Sequence, residues 1–168
     1  MRLLKLLLLS ALCFLNACST IAPKDAQVWS GRFSVTIRNA DASDRHSGSF
    51  QLTVLPNITV LNISGPLGAQ IARVEEKDGL CQLIRPNEAP LISRNSSELM
   101  MQVLGVPLSV RNLISWLSGK PTHKEDSYPW KINAEGQTNE TPRRIFANGL
   151  VPSTNSEIHL VILPKREQ

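Results

Sequence analysis

From Val28 onward, apolar and polar residues alternate with the period of two that puts one face of a strand into a core and the other into water. In VWSGRFSVTIR, Phe33, Val35 and Ile37 alternate with Ser34, Thr36 and Arg38; in SGSFQLTV, Phe50, Leu52 and Val54 share one side. The polar span Asn39 to Arg45 reads as the hairpin loop between these strands. After a Pro56-Asn57 turn, ITVLNIS carries Ile58 and Val60 on one face and Leu61 and Ile63 on the other, which predicts cover on both sides. Residues 69–76 (AQIARVEE), 80–84 (LCQLI) and 89–93 (APLIS) continue the meander, separated by Lys77-Asp78-Gly79 and by Pro86-Asn87.

The period then lengthens. Asn95 or Ser96 is placed to cap a helix carrying Leu99, Met100, Val103 and Leu104, which Gly105 ends. A second helix is expected to begin at Pro107 or Leu108, to set Val110, Leu113, Ile114 and Leu117 on one side, and to stop at Gly119-Lys120-Pro121. Strand character returns in YPWKINAEG, RRIFANG and EIHLVILP, with Trp130, Ile132, Ile145, Phe146, Ile158, Leu160 and Ile162 as the inward set. The predicted fold class is mainly β with short helices: a curved antiparallel sheet with a helical pair filling or capping one side.

Between the third and fourth strands stands Ser64-Gly65-Pro66-Leu67-Gly68. Read only as a turn residue, Leu67 is expected to fold back onto the sheet. Pro66 stiffens the tip and Gly68 frees the return, so the same turn also suits an outward leucine.

Ahead of the strands, MRLLKLLLLSALCFLNAC has two early cations, an apolar run and small residues before a cysteine, the plan of a secretory signal. The run from Leu6 to Leu15 is interrupted by Ser10 and falls short of the roughly 20 apolar residues that span a bilayer. Leu15-Asn16-Ala17-Cys18 resembles a bacterial lipobox, which implies removal of residues 1–17 and lipidation of Cys18. Ser19 follows where an inner-membrane retention signal resembles Asp, so the implied destination is the outer membrane. At about 0.8 kcal/mol per buried methylene, the several acyl chains of a mature lipoprotein tether a protein to a membrane it does not span. Residues 18–27 form a short polar tether, and residues 28–168 are expected to fold as one domain, as 168 residues allow. With Cys13 in the leader and Cys18 lipidated, Cys81 has no disulfide partner.

Composition excludes more than it suggests. The formal charge of +4 falls to +2 once Arg2 and Lys5 leave with the leader, and the remaining cations are scattered without an aromatic ladder. That is not a nucleic-acid footprint. His46, His123 and His159 stand far apart, and neither His-x-x-x-His nor Cys-x-x-Cys spacing occurs, so no metal site is expected. There is no Gly-x-Ser-x-Gly, phosphate-cradling loop or dinucleotide fingerprint. Glu75, Glu76 and Asp78 sit at a turn, where solvated carboxylates belong, and Cys81 reads as a buried strand thiol. The expectation is a protein that is not an enzyme and carries no cofactor. A curved sheet this rich in aliphatic side chains encloses either a solid core or an apolar cavity, and composition alone favours the solid core.

Several short motifs recur here in a recognisable order: the lipobox at Cys18, Trp29-Ser30-Gly31-Arg32-Phe33, Gly65-Pro66-Leu67-Gly68, Leu104-Gly105-Val106-Pro107-Leu108, and Leu113-Ile114-Ser115-Trp116-Leu117-Ser118-Gly119-Lys120-Pro121. Together they cover roughly residues 15 to 121. In order and spacing this resembles the LolB family of outer-membrane lipoproteins, which receive acylated lipoproteins from a periplasmic LolA-like carrier and insert them. The resemblance implies an unclosed antiparallel β-barrel with a helical lid over an apolar cavity. It implies non-enzymatic transfer of cargo by a monomer on the periplasmic face of the outer membrane, and contact with that membrane's phospholipid. It further implies a protruding membrane-transfer loop of Gly65, Pro66, Leu67 and Gly68, in which Leu67 promotes delivery. Candidates for the acyl-chain cavity are Trp29, Phe33, Val35, Phe50, Leu52, Leu113, Trp116, Leu117 and Trp130. Two departures stand out. Ser19 to Gln27 leaves no room for a helix before the first strand, and Thr122 to Tyr128 is too short and polar for strands, so a barrel with fewer strands and a more open cavity is expected. Two other readings remain: a structural or assembly lipoprotein with a solid core, and a module that binds free lipid.

Overall fold

The structure, a computed structural model, describes residues 25–120, 130–138, 141–151 and 154–167. The leader, Cys18 and most of the tether lie outside the described residues, as do 121–129, on which the expectation of missing strands rests.

Among the described residues nine strands form one antiparallel sheet: β1 (Gln27–Arg38), β2 (Ser43–Val54), β3 (Thr59–Ser64), β4 (Gln70–Lys77), β5 (Leu80–Ile84), β6 (Leu91–Ser93), β7 (Trp130–Thr138), β8 (Thr141–Val151) and β9 (Ser156–Glu167). Their order across the sheet is β6-β5-β4-β3-β2-β1-β9-β8-β7. The strands β1 and β9 are therefore neighbours in the interior of the sheet, paired from Val28 with Glu167 to Arg38 with Glu157. The edges β6 and β7 are not paired with each other, so the barrel is unclosed.

The alternation places Trp29, Phe33 and Val35 of β1, Phe50 and Leu52 of β2, Leu61 and Ile63 of β3, and Ile158, Leu160 and Ile162 of β9 on one buried face. Val60, on the opposite face of β3, is also buried but stands outside that cluster. Two glycines shape the inner face. Gly31 is paired with Phe50, and Gly48 with Phe33. A Cβ at Gly31 would stand 2.8 Å from Phe50 Cε1, and one at Gly48 would stand 3.1 Å from Phe33 Cζ. Each ring thus lies over the bare backbone of the glycine across from it, which lets two strands with large aromatic residues approach and bend.

Three strand expectations need correction. β2 begins at Ser43, not after Arg45, because Asn39 Oδ1 accepts from the Asp41 and Ala42 N–H groups at 3.1 and 2.7 Å. That closes the turn within four residues, and the backbone ladder then runs through polar side chains. Phe146, expected inward, is only half-buried and lies with the Arg144 guanidinium 5.6 Å from its ring centre, while Ile145 and Ala147 face the core. The alternation around Phe146 fits either phase, and the register with β9 decides it by pairing Ile145 with Ile162 and Ala147 with Leu160. β6 is only three residues long, and Leu91 and Ile92 stay exposed on this edge.

Helix α1 (Ser96–Leu104) is capped by Asn95, whose Oδ1 accepts the Ser97 N–H at 2.9 Å, and ends at Gly105 in the left-handed region (φ 68). Helix α2 spans Val110–Leu117, starting later than Pro107 or Leu108, because the Ser109 hydroxyl accepts the Asn112 N–H at 3.1 Å and fixes the cap there. Helix α1 packs on β4, β5 and β6, and α2 on β8. The pair therefore bridges the two wings of the open sheet.

Candidate functional site

At the β3–β4 connection, the Gly68 N–H donates to the Gly65 carbonyl at 3.0 Å and the Gly65 N–H to the Ala69 carbonyl at 2.9 Å. Among the described non-glycine residues, positive φ occurs only at Asp78, Asn87 and Asn155, so Leu67 keeps a negative φ, which rules out a type II turn. Gly68 takes the left-handed conformation (φ 82) instead. The result is a type I turn with Pro66 at its second position, followed by a left-handed glycine that returns the chain to β4. This geometry holds the third-position side chain away from the sheet. Leu67 is 99% exposed, so it does not fold back as a turn residue viewed alone was expected to do.

The nine candidate cavity residues come together in one apolar cluster, all of them 8% exposed or less. Trp116 of α2 and Trp130 of β7 meet edge to face, with ring centres 5.8 Å apart and planes at 77°. The Trp130 indole N–H donates to the Pro107 carbonyl at 3.1 Å, tying the edge strand to the chain between the helices. The Trp29 N–H donates to Thr141 Oγ1 at 3.2 Å, and the Arg166 guanidinium lies 5.8 Å from the Trp29 ring centre. The Trp116 N–H is buried with no acceptor among the described residues.

Sequence reasoning missed one buried polar link. Ser96, 6% exposed at the start of α1, accepts the Val110 N–H at 3.1 Å, so its hydroxyl joins the first turns of both helices. Beneath it lies the buried Cys81 thiol, whose ionisation the neighbouring Ser96 hydroxyl and backbone favour. Burial, and secondarily the Glu76 carboxylate, push the Cys81 thiol pKa up, against the smaller lowering by Ser96, so it stays protonated at neutral pH. The sequence signal was Ser96 itself, an alternative cap that the fold uses as a clasp. Leu113 and Leu117 complete the inward face of α2. Among the described residues no group of three or more His, Cys, Asp or Glu side chains is placed to hold a metal ion, and no helix is long and apolar enough to cross a membrane.

A family model described as outer membrane lipoprotein LolB matches residues 26–151. The outer-membrane lipoprotein LolB of Cupriavidus metallidurans is 32% identical over 128 residues, covering 71% of this chain and 63% of that protein. Its namesake from Bordetella pertussis is 32% identical over 91 residues, 54% of this chain and 46% of the relative, and that of Ralstonia nicotianae is 29% identical over 161 residues, 88% and 75%. The match thus spans less than two thirds of the length of the first two relatives. Among solved structures, a LolA superfamily protein from Nitrosomonas europaea is similar with a TM-score of 0.49 and 8% identity, covering 86% of each chain.

Proposed function

The chain belongs to the LolB family of outer-membrane lipoproteins, and from that premise we propose that it accepts acylated lipoproteins from a periplasmic LolA-like carrier and inserts them into the outer membrane without catalysing a reaction. Lipidated Cys18 anchors residues 18–27 and the domain behind them, 28–168, to the periplasmic face of that membrane. The acyl chains enter the inner face between the sheet and the helix pair. Because the nine candidate residues are covered in the structure, entry requires α1 and α2 to move away from one wing. The bridging position of the pair supports such a movement: each helix rests mainly on a different side of the open sheet. Transfer then follows affinity, from carrier to inner face to bilayer.

The observation that carries this reading is Leu67, a fully exposed apolar side chain on a turn whose backbone is closed by its own hydrogen bonds. Full insertion of one leucine into the bilayer stabilises contact by about 1.5–3 kcal/mol, enough to orient the protein transiently and too little to anchor it. Leu67→Glu is expected to leave uptake of a triacylated peptide nearly intact while delivery to phospholipid vesicles fails; undiminished delivery by that variant would sink the role of the loop.

The rival reading is an assembly lipoprotein with a solid core, and the near-complete burial of the nine candidates favours it. Depletion in cells separates the two. Loss of a receptor strands many outer-membrane lipoproteins in the periplasm, whereas loss of an assembly factor leaves their localisation unchanged. A free-lipid module would take up phospholipid in preference to the triacylated peptide.

A further inference from the structure

Two of the three tryptophans in the core satisfy their indole N–H groups, Trp29 on Thr141 Oγ1 at 3.2 Å and Trp130 on the Pro107 carbonyl at 3.1 Å. The third does not. Trp116 is 4% exposed, and its Nε1 has no hydrogen-bond acceptor among the described residues. A buried donor left unpaired destabilises the fold, and native structures contain few of them. Phe or Leu would be apolar at this position without a donor to leave unpaired.

The surroundings of Trp116 narrow what an acceptor can be. Its ring meets Trp130 edge to face, and its helix presents Leu113 and Leu117 to the same interior. Among the described residues no buried side chain is charged, and the buried polar ones are Ser96, Asn112, Thr141 and Ser156, none of which accepts from this N–H. A partner for this N–H must therefore arrive on something otherwise apolar, carry an acceptor without a charge, and enter when α2 moves. An acyl chain meets all three conditions, because its carbonyl oxygen is a neutral acceptor at the head of a hydrocarbon tail.

We propose that the Trp116 indole N–H is the polar recognition point of the acyl-binding face, donating a hydrogen bond to an acyl carbonyl oxygen of the bound lipid. This rests on the lipid-accepting function proposed above and adds the group that is read. The hydrocarbon supplies affinity through burial, which any chain of equal length offers. The N–H adds discrimination: acylated cargo satisfies a donor that a carbonyl-free chain leaves unpaired.

The test uses the full chain carrying Cys18→Ser, so that no lipid of its own competes, and compares it with the same chain carrying Trp116→Phe. Two probes of equal chain length, monopalmitoylglycerol and hexadecyl glyceryl ether, differ only in the carbonyl; each is titrated against a bound fluorescent apolar dye. The parent protein is expected to bind the ester about three- to tenfold more tightly than the ether, the range of one net hydrogen bond. Trp116→Phe should bring the ratio of ester to ether affinity to about one, and that ratio is the readout, because the smaller ring also changes the apolar contact both probes share. In the parent, the Trp116 indole proton should shift downfield in NMR spectra on addition of the ester and not of the ether. Equal affinities of the parent for the two probes, or an ester preference that survives Trp116→Phe, overturns the inference while lipid acceptance stands. Failure of the parent to bind either probe overturns the lipid-accepting reading itself.

Discussion

The hairpin tip and the helix-covered inner face hold the same kind of side chain in opposite states. Leu67 is 99% exposed, whereas Leu52, one strand away, is 0% exposed. At the tip the backbone is self-sufficient: two hydrogen bonds and the left-handed Gly68 close the turn whatever residue occupies the third position. On the inner face nothing is self-sufficient, since each side chain is fixed by those of other strands and of the two helices. The difference teaches that the stability of the fold and the membrane contact proposed for Leu67 reside in separable parts of this molecule, so that a substitution in one should leave the other almost untouched.

The contrast is sharpest for Trp29→Ala. Removing a ring that packs in the core, donates to Thr141 and lies beside Arg166 should lower unfolding stability by about 3–5 kcal/mol in urea titrations. A loss under about 1 kcal/mol would mean that the inner face is far looser than its burial implies.

Next comes Ser96→Ala, which leaves the buried Val110 N–H without its acceptor, at about 1–3 kcal/mol. Here alkylation of the Cys81 thiol is the more telling measurement, because the thiol is reached only when α1 lifts. Labelling should accelerate in this variant, and an unchanged rate would show that the serine does not clasp the helices to the sheet.

At Gly68 a Cβ meets nothing within 4 Å, so Gly68→Ala should cost only the strain of the left-handed backbone, about 1 kcal/mol. Gly68→Asn should recover part of it. Smallest of all in stability is Leu67→Glu, expected within about 0.5 kcal/mol of the parent even though delivery to vesicles is lost. A large destabilisation by that variant would break the separation between tip and core.

Much of this was legible in the chain. The cap at Asn95, the stop at Gly105, the strands β1 and β3 to β5, and the buried thiol at Cys81 each follow from residues close together in sequence. Phe146 was misread because inward and outward phases differ by one residue and only pairing with β9 selects between them. The β2 boundary was misread because backbone pairing continues through polar side chains that carry no apolar period.

By itself, then, the sequence determined the local periods, the caps and the turn that frames Leu67, because each depends on short-range sterics and on hydrogen bonds between near neighbours. Only the tertiary structure decided what those elements meet. It set β1 beside β9, laid Phe50 over Gly31, joined the helices through Ser96, and left one indole N–H of three without an acceptor among the described residues. Contacts between residues far apart in the chain leave no periodic trace, since what fixes them is the fit of whole faces against one another.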